Sequence, residues 1–206
     1  MRGRARRDMR RVTAFFIFFI SFSLVYVSVA YYLLSPKAFQ PFMAFGVYSE
    51  GGTLSTYTGG FRLPIAENQT MRWSLEVANR MGAVQFVRLL YRLGNSTTGA
   101  PSNSYPAPDM VPIVGKLEAF IASGDTKRFE FTWAVVRKIQ SGGTVYLDMV
   151  VNGTTMSPPI GEGSGKNFRF MFELWTFDVD TNSFQYGWPQ ESSRVGSWLQ
   201  VWFDVA

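Results

Sequence analysis

Few side chains in this sequence are of the kinds that perform catalysis. With no cysteine and no histidine among 206 residues, zinc sites of the Cys/His kind, thiol nucleophiles and Ser-His-Asp triads are excluded. Carboxylates remain, and a glycosidase would need a pair of them facing each other across a cleft. The candidates are Glu118, Glu130, Asp148 and Glu173. Because they alternate with apolar residues, we expect them to lie on solvated strand faces, and we predict that the protein is not an enzyme in its own right.

A calcium site is the next chemistry to consider, at Asp178, Asp180 and Asn182. Their spacing is that of the start of an EF-hand loop, which then needs Gly at its sixth position and Glu at its twelfth. This chain has Ser183 and Pro189 there. The favoured interpretation is a hairpin turn in which Asp and Asn bond to nearby backbone groups. No Gly-rich loop follows a strand and opens a helix either, so the sequence predicts no metal and no cofactor.

The basic character of the chain is confined to residues 1–11. They contain six arginines and one acidic residue, which account for the whole formal net charge of +5. The arginines are Arg2, Arg4, Arg6, Arg7, Arg10 and Arg11. Since basic and acidic residues balance over positions 12–206, the remainder offers no electrostatic footprint for DNA or RNA. We therefore expect no nucleic acid partner.

Residues 12–34 form an uncharged apolar run, VTAFFIFFISFSLVYVSVAYYLL. At about 1.5 Å per residue, a helix of this length can cross a hydrocarbon core of about 30 Å. Tyr31 and Tyr32 suit the membrane interface at its end, and Pro36 follows, where a helix stops. Because arginines flank one side and only Lys37 the other, we predict a signal-anchor in the cell membrane, with a cytoplasmic N-terminus and a C-terminal domain outside.

Cleavage of this segment is an alternative to a retained anchor. Ser28, Val29 and Ala30 make an acceptable signal-peptidase site, with the cut after Ala30. The apolar run is longer than a usual signal core and continues to Leu34, which favours retention.

A stripe of small residues raises the question of self-association. Ala14, Ser21 and Ser28 recur every seven residues, and small residues can let a second membrane helix approach closely. Serines also occur in membrane helices without any such role, so pairing through the helix stays an open alternative.

After Pro41 apolar residues recur at every second position, which is typical of strands with one face on a core. The pattern is clear at 129–135, 145–151, 168–174 and 199–205, and weaker at 42–48, 72–79, 84–91 and 116–122. We therefore predict an all-β fold, an antiparallel immunoglobulin-like β-sandwich preceded by one N-terminal transmembrane α-helix. The predicted boundaries are a basic cytoplasmic tail at 1–11, the transmembrane helix at 12–34, a linker at 35–41 and an extracytoplasmic β-sandwich domain at 42–206.

Two long segments between predicted strands, 94–112 and 176–196, draw attention. The first is rich in Ser, Pro and Asn, and the second carries Phe184, Tyr186 and Trp188. Loops of this length are uncommon in compact domains unless they are functional or mobile. Each is therefore either a contact surface or an elaborate connection between strands.

Three acceptor sequences for N-glycosylation are predicted to lie in turns, at Asn68, Asn95 and Asn152. Such sites carry glycans only on the outer side of a membrane, so their positions agree with the predicted topology. In an organism with the pathway, we expect a glycoprotein.

Four tryptophans are candidate contact residues. Trp175, Trp198 and Trp202 fall on predicted outward strand faces, and Trp188 lies in the second long segment. Exposed tryptophans on a sheet are costly unless covered. Either a loop or a sheet edge covers them, or they mark a contact with a partner or a membrane surface.

The order of features from about residue 60 onward resembles an uncharacterised family of archaeal membrane proteins. The matching stretches are a strand ending in Asn at 73–79, the strand from Phe86 to Tyr91, the approach to the next strand at 124–131, and a closing pair at 168–174 and 198–205. Members of that family look as if they consist of transmembrane segments, usually several, followed by an immunoglobulin-like ectodomain. The resemblance implies a similar ectodomain on a membrane anchor, and it brings no catalytic residues.

These observations favour a single-pass envelope protein that presents its β-sandwich for protein–protein interaction. It would belong to a cell-surface structure or serve as an accessory subunit of a membrane complex. The alternative is an extracytoplasmic module that binds a small ligand or a glycan through its long segments and aromatic residues. The expected partners are the lipid bilayer and a protein of the envelope or of a membrane complex.

Overall fold

The computed structural model describes residues 2–34, 40–49 and 64–206, with side chains from residue 15 onward. Most of the predicted linker therefore lies outside the described residues, as do the side chains of the six arginines and of Ala14. The chain divides into two compact units, Met1–Gln40 and Pro41–Ala206, and each is described by itself.

The first unit is one helix, α1 (Arg2–Leu34). Residues 2–11 of the predicted tail form the first turns of this helix, in keeping with the good helix propensity of arginine. Among the described residues, α1 is the one helix long and apolar enough to cross a membrane, over Phe15–Leu34 with a mean hydropathy of 2.0. The hydroxyl of Ser28 donates to the carbonyl of Leu24 at 2.8 Å, so this serine is satisfied within its own helix.

The second unit is all β. Its strands are β1 (Phe42–Ser49), β2 (Met71–Arg80), β3 (Gln85–Gly94), β4 (Ile113–Ile121), β5 (Thr126–Ser141), β6 (Thr144–Val151), β7 (Thr154–Met156), β8 (Gly161–Glu162), β9 (Phe168–Asp178), β10 (Ser183–Tyr186), β11 (Trp188–Gln190), β12 (Ser193–Val195) and β13 (Ser197–Phe203). All eight predicted strands are present. The prediction of a loop at 176–196 is wrong in part, because β10, β11 and β12 lie there.

Two antiparallel sheets make the sandwich. The first sheet has the order β1-β2-β5-β6, and both β7 and β8 pair with the far edge of β6. The second sheet has the order β4-β3-β9, and both β10 and β13 pair with the other edge of β9. Strands β1, β2 and β5 thus lie opposite β3, β4, β9 and β13, as strands A, B and E lie opposite C, C′, F and G in immunoglobulin domains.

Aromatic residues from both sheets form the centre of the core. The ring centroid of Trp73 on β2 lies 5.8 Å from that of Phe170 and 6.2 Å from that of Phe172, both on β9. In antibody domains a disulfide joins these two strand positions. Here edge-to-face aromatic contacts connect them, so a chain without cysteine still ties one sheet to the other.

Two hairpins of the first sheet have the tight turns that its register requires. Gly142 and Gly143 connect β5 to β6 with φ values of 58° and 83°, and Asn152 and Gly153 connect β6 to β7 with 48° and 79°. Positive φ at both central positions is the mark of a type I′ turn, for which Asn-Gly and Gly-Gly are the preferred pairs. One predicted glycosylation sequence therefore coincides with a tight turn.

Candidate functional site

The outer face of the second sheet divides into a covered half and an open half. Alternate residues of β9 point outward, namely Arg169, Met171, Glu173, Trp175 and Phe177, because their neighbours fill the core. Segment 94–112 lies over the first three of these, and Met171 packs there against Ala107 and Val111 of that segment. We call this segment the cover loop.

A buried ion pair holds the cover loop in place. Glu173 and Arg92 on the neighbouring strand are 0% and 4% exposed, and their charged groups lie 3.3 Å apart. The carboxylate accepts a hydrogen bond from the Ala107 amide at 2.7 Å, and the guanidinium donates to the Val111 carbonyl at 2.6 Å. The two charges therefore offset each other, and backbone groups of the cover loop bond to both.

Arg169 makes a second attachment. Its guanidinium donates to the carbonyl of Thr98 in the cover loop and to Gln200 on β13, the latter at 2.7 Å. The same group lies 4.7 Å from the ring centroid of Trp202, in a cation–π arrangement. Burial lowers the pKa of Arg169 from its ordinary value, which is the expected direction for a cation taken out of water.

Tyr186 makes a third attachment. Its hydroxyl donates to the carbonyl of Ser102 at 2.8 Å, and its ring meets that of Trp175 edge-on at 5.6 Å. Burial raises the pKa of Tyr186, and the negative charge of Glu173 raises it further. The cover loop is thus a fixed part of the domain, tied to it at several positions, rather than a detached contact surface.

The open half of this face carries four phenylalanines from four strands: Phe86, Phe120, Phe177 and Phe184, hereafter the aromatic surface. Phe86 and Phe120 stack with centroids 4.3 Å apart, and Phe86 lies 5.0 Å from Phe184. Phe177 and Phe184 meet edge-on at 5.3 Å. The side chain of Phe120 is 72% exposed. A contiguous apolar area of this kind on a domain surface is typical of an interaction site.

Charged groups accompany the aromatic surface. The guanidinium of Arg88 lies 3.7 Å from the ring centroid of Phe184, and its Nε lies 2.6 Å from a carboxylate oxygen of Glu118. Lys116 is 3.1 Å from the same carboxylate. The surface thus combines one exposed ring and three half-buried rings with the planar cation of Arg88. Aromatic residues and arginine are enriched at protein–protein contacts.

The four predicted contact tryptophans lie beside this surface or away from it, and none is fully exposed. Trp175 donates to Glu173 at 3.1 Å, Trp202 lies under Arg169, and Trp188 packs against the core. Trp198 is half-buried on β13. The arrangement favours the interpretation that they are covered, and their role in binding stays a prediction.

The candidate carboxylates are dispersed over both sheets. The expectation for Glu173 is wrong, because this carboxylate is buried under the cover loop and not solvated. Asp148 bonds to Arg137 at 2.6 Å, and Glu118 pairs with Arg88, while Glu130 is exposed. Among residues 40–49 and 64–206, no three acidic side chains are grouped closely enough to hold a metal ion.

The segment that resembled a calcium loop is a hairpin, as predicted. Asp178 pairs with Ser183 where β9 meets β10, and its carboxylate accepts a hydrogen bond from the Thr181 amide at 3.0 Å. That bond is the main cause of the lowered pKa of Asp178. The positive φ of Asn182, 50°, completes the turn.

The three glycosylation sequences differ in how free the acceptor nitrogen is. The Nδ2 of Asn95 donates to the carbonyl of Gly161 at 2.9 Å. The Nδ2 of Asn152 donates to the hydroxyl of Tyr91 at 3.2 Å, on the opposite sheet. Asn68 is exposed in a turn, with φ at 62°. The fold thus engages two acceptors in structure and leaves Asn68 on the surface.

A shallow cavity of about 210 Å³ lies on the outer face of the first sheet. Its lining consists of Arg72, Trp73, Ser74, Glu130 and Thr132. The cavity is smaller than the 300–1,000 Å³ or so that small-molecule sites usually occupy. Its lining includes none of the candidate tryptophans and no residue of the two long segments on which the alternative of a ligand-binding module rests.

Comparisons with known proteins do not assign this chain to a protein family. No family model and no curated protein matches it. Among solved structures, three similar chains are a β-glucosidase involved in saponin metabolism from intestinal bacteria, a β-glucosidase from Erythrobacter marinus and one from Bifidobacterium adolescentis. Their identities are 16%, 10% and 12% and their TM-scores 0.38, 0.37 and 0.31, over 80–81% of this chain. The chain spans only 16–17% of those chains, and likeness at this level carries no inference about activity.

Proposed function

We propose that this protein is a single-pass protein of the cell membrane whose β-sandwich lies outside the cell and binds another protein of the envelope through the aromatic surface. The observation that carries the proposal is the contrast between the covered half and the open half of the outer face of the second sheet. The domain covers half of the outer face with a tied loop and leaves Phe120 72% exposed in the other half. Apolar area that a fold leaves open beside covered area supports a partner contact.

The N-terminal unit supports the location. The apolar span Phe15–Leu34 follows a strongly basic beginning of the chain. Arginines concentrate on the cytoplasmic side of membrane helices, which supports an outward orientation of the sandwich. The resemblance to archaeal membrane proteins with immunoglobulin-like ectodomains agrees with this arrangement. An accessory subunit of a membrane complex fits the same features as a cell-surface structure does.

A matched pair of substitutions tests the aromatic surface. Phe120→Asp places a charge on the surface, whereas Tyr105→Asp places one at an aromatic residue that is 73% exposed in the cover loop. The full chain is purified from native membranes in mild detergent, and stoichiometric companions are measured by mass spectrometry. We expect Phe120→Asp to lose a companion that the unchanged chain and Tyr105→Asp retain. Equal retention by both variants would rule out the aromatic surface as the contact.

The orientation has its own test. Protease added to intact cells should remove the sandwich and leave a membrane-bound fragment of about the size of α1. Full protection of the sandwich, together with digestion in opened cells, would reverse the proposed topology. Release of the intact sandwich into the medium without protease would instead indicate cleavage after Ala30.

A further inference from the structure

Strand β4 is a long open edge of the sandwich. It spans Ile113–Ile121 and pairs with β3 on one side, and no other described strand pairs with its free side. The other long edges, β1 and β13, lie close to each other. An unpaired edge presents a row of free N–H and C=O groups, which can accept another strand.

The side chains at the centre of this edge carry opposite charges. Lys116 and Glu118 both point to the outer face, with side chains 56% and 29% exposed. Within one copy they lie 3.1 Å apart, and Arg88 of β3 also pairs with Glu118, so a partner's charges would add to pairs that already exist. Leu117 between them points to the core side and packs against the core. Leu117 is thus flanked by two charged residues of opposite sign, Lys116 on one side and Glu118 on the other.

Among axes at residues 116, 117 and 118, that arrangement of charges selects one register for a second copy of the chain. When an edge strand pairs with itself in antiparallel fashion, directly opposed residues face the same side of the sheet, so the two-fold axis passes through a residue. An axis at Lys116 or at Glu118 would place like charges opposite each other. An axis at Leu117 places Lys116 opposite the partner's Glu118, and each copy makes the pair once.

We propose that two copies of this protein pair through their β4 strands, in antiparallel register about Leu117. The second sheet of one copy then continues into the second sheet of the other. On the outer face the two Lys–Glu pairs lie on either side of the axis. On the inner face Leu117 meets the partner's Leu117, and Gly115 lies opposite the partner's Ala119. The proposal goes beyond the protein contact through the aromatic surface. Phe120 of that surface also lies on β4, so the variants below change Lys116 and Glu118 and leave the four phenylalanines in place.

The competing possibility is a monomer whose edge is blunted by its charges. Lysine and glutamate on an edge strand discourage pairing with arbitrary strands. Both possibilities depend on Lys116 and Glu118, but they differ in whether the signs of the two charges matter. Blunting works with any charge, whereas the dimer requires opposite charges at 116 and 118.

Charge reversal separates the two. The full chain is produced in membranes with two different affinity tags, and co-purification of one tagged form with the other is measured in detergent. We expect Lys116→Glu with itself and Glu118→Lys with itself to lose association by about tenfold, because like charges then oppose each other twice. We expect the mixture of Lys116→Glu with Glu118→Lys to restore it, since every opposed pair is again attractive. Association that is unaffected by all three combinations, or absent for the unchanged chain, would overturn the proposal.

The absence of cysteine from the chain allows a direct test of register. A copy with Lys116→Cys mixed with a copy with Glu118→Cys places the two thiols on directly opposed residues, at a separation that a disulfide can span. Either variant alone places its thiols two residues out of register, which is too far. We expect oxidant to cross-link the mixture and not the single variants. No cross-link in the mixture, or equal yields in all three samples, would exclude this register.

Two checks keep the result specific. Thermal unfolding of each variant should stay within a few degrees of the unchanged chain, because these residues are on the surface. Ser21→Leu with Ser28→Leu changes the small-residue stripe of α1 and leaves β4 untouched. If that variant abolishes association while the charge reversals do not, the copies join through the helix, and the β4 proposal fails.

Discussion

The guanidinium of Arg92 lies 3.3 Å from the carboxylate of Glu173, and the two side chains are among the most deeply buried charged groups of the described sandwich. Each also bonds to the backbone of the cover loop, at Ala107 and Val111. An ion pair in this position fixes the loop rather than the sheet, since β3 and β9 are already paired by their own ladder. The outer face therefore depends on two charges that solvent does not reach.

Removing one member of this pair should be costly. Glu173→Gln keeps an oxygen for the Ala107 amide but leaves Arg92 buried without an opposite charge. We expect the free energy of unfolding to fall by about 3–5 kcal/mol, measured by denaturant unfolding of the full chain in detergent. Glu130→Gln, at an exposed carboxylate, is the control and should change little. A loss no larger than that of the control would mean that the pair does not hold the cover loop.

Alkaline pH should weaken the attachment made by Tyr186. An unfolded tyrosine ionises near pH 10, whereas burial and the charge of Glu173 raise the pKa of Tyr186 in the folded chain. Between these values the unfolded state binds fewer protons, so stability is fully present below about pH 10 and falls as pH rises above it. Comparing unfolding at pH 8 with unfolding at about pH 11, we expect Tyr186→Phe to reduce this fall.

The control for this pH dependence is Tyr105→Phe, because Tyr105 is 73% exposed. It should leave the alkaline fall as it is in the unchanged chain. Tyr91 contributes in the same direction, since burial raises its pKa although the bond from Asn152 lowers it in part. If Tyr186→Phe and Tyr105→Phe show the same alkaline fall, ionisation of Tyr186 is not its cause.

Glycan occupancy should favour one of the three acceptor sequences. In a host that glycosylates external domains, we expect Asn68 to carry the glycan, because the Nδ2 groups of Asn95 and Asn152 are bonded within the fold. Mass spectrometry of the intact chain should then show a shift that Asn68→Gln removes. Asn152→Gln should leave the shift in place and lower stability, since it loses the turn residue and the contact to Tyr91. Full occupancy at Asn152 would contradict this order.

Alternating residues predicted the strands well because the core side of each strand is apolar. The same pattern could not predict what covers the other side. Glu173 alternates with phenylalanines as a solvated residue would, yet a loop rich in serine and proline buries it. The signals that could have indicated the cover are Ala107 and Val111, which are small apolar residues inside an otherwise polar segment.

The aromatic surface was beyond prediction for a topological reason. Phe86, Phe120 and the neighbouring Phe177 and Phe184 come from three separate parts of the sequence. The sequence singled out Phe184 as part of a long segment, but not the other three. The four rings meet because β3 pairs with both β4 and β9, and β10 returns to the edge of β9. Register within a hairpin follows from its turn, whereas the choice of neighbours across a sandwich depends on the whole core.

One polar residue at the end of β2 organises the connections at that end of the domain. Asn79 is 0% exposed. Its Nδ2 donates to the carbonyls of Ala83 and Ile121, both at 2.8 Å, and its Oδ1 accepts from the Met81 amide at 2.9 Å. The amide group thus joins the turn between β2 and β3 to the end of β4, so two connections share one buried side chain.

Asn79→Ala should therefore destabilise the domain by more than the loss of a single hydrogen bond would. It leaves the buried carbonyl of Ile121 and the part-buried carbonyl of Ala83 and N–H of Met81 without their partner. We expect a loss of about 2–3 kcal/mol in the free energy of unfolding. Asn79→Asp should be at least as harmful, because it loses both donors and buries a charge. Asn103→Ala is the control, since the described contact of Asn103 uses its backbone carbonyl, to Gly196. Denaturant unfolding should separate the two alanine variants clearly, and equal stabilities would show that water replaces the amide of Asn79 at no cost.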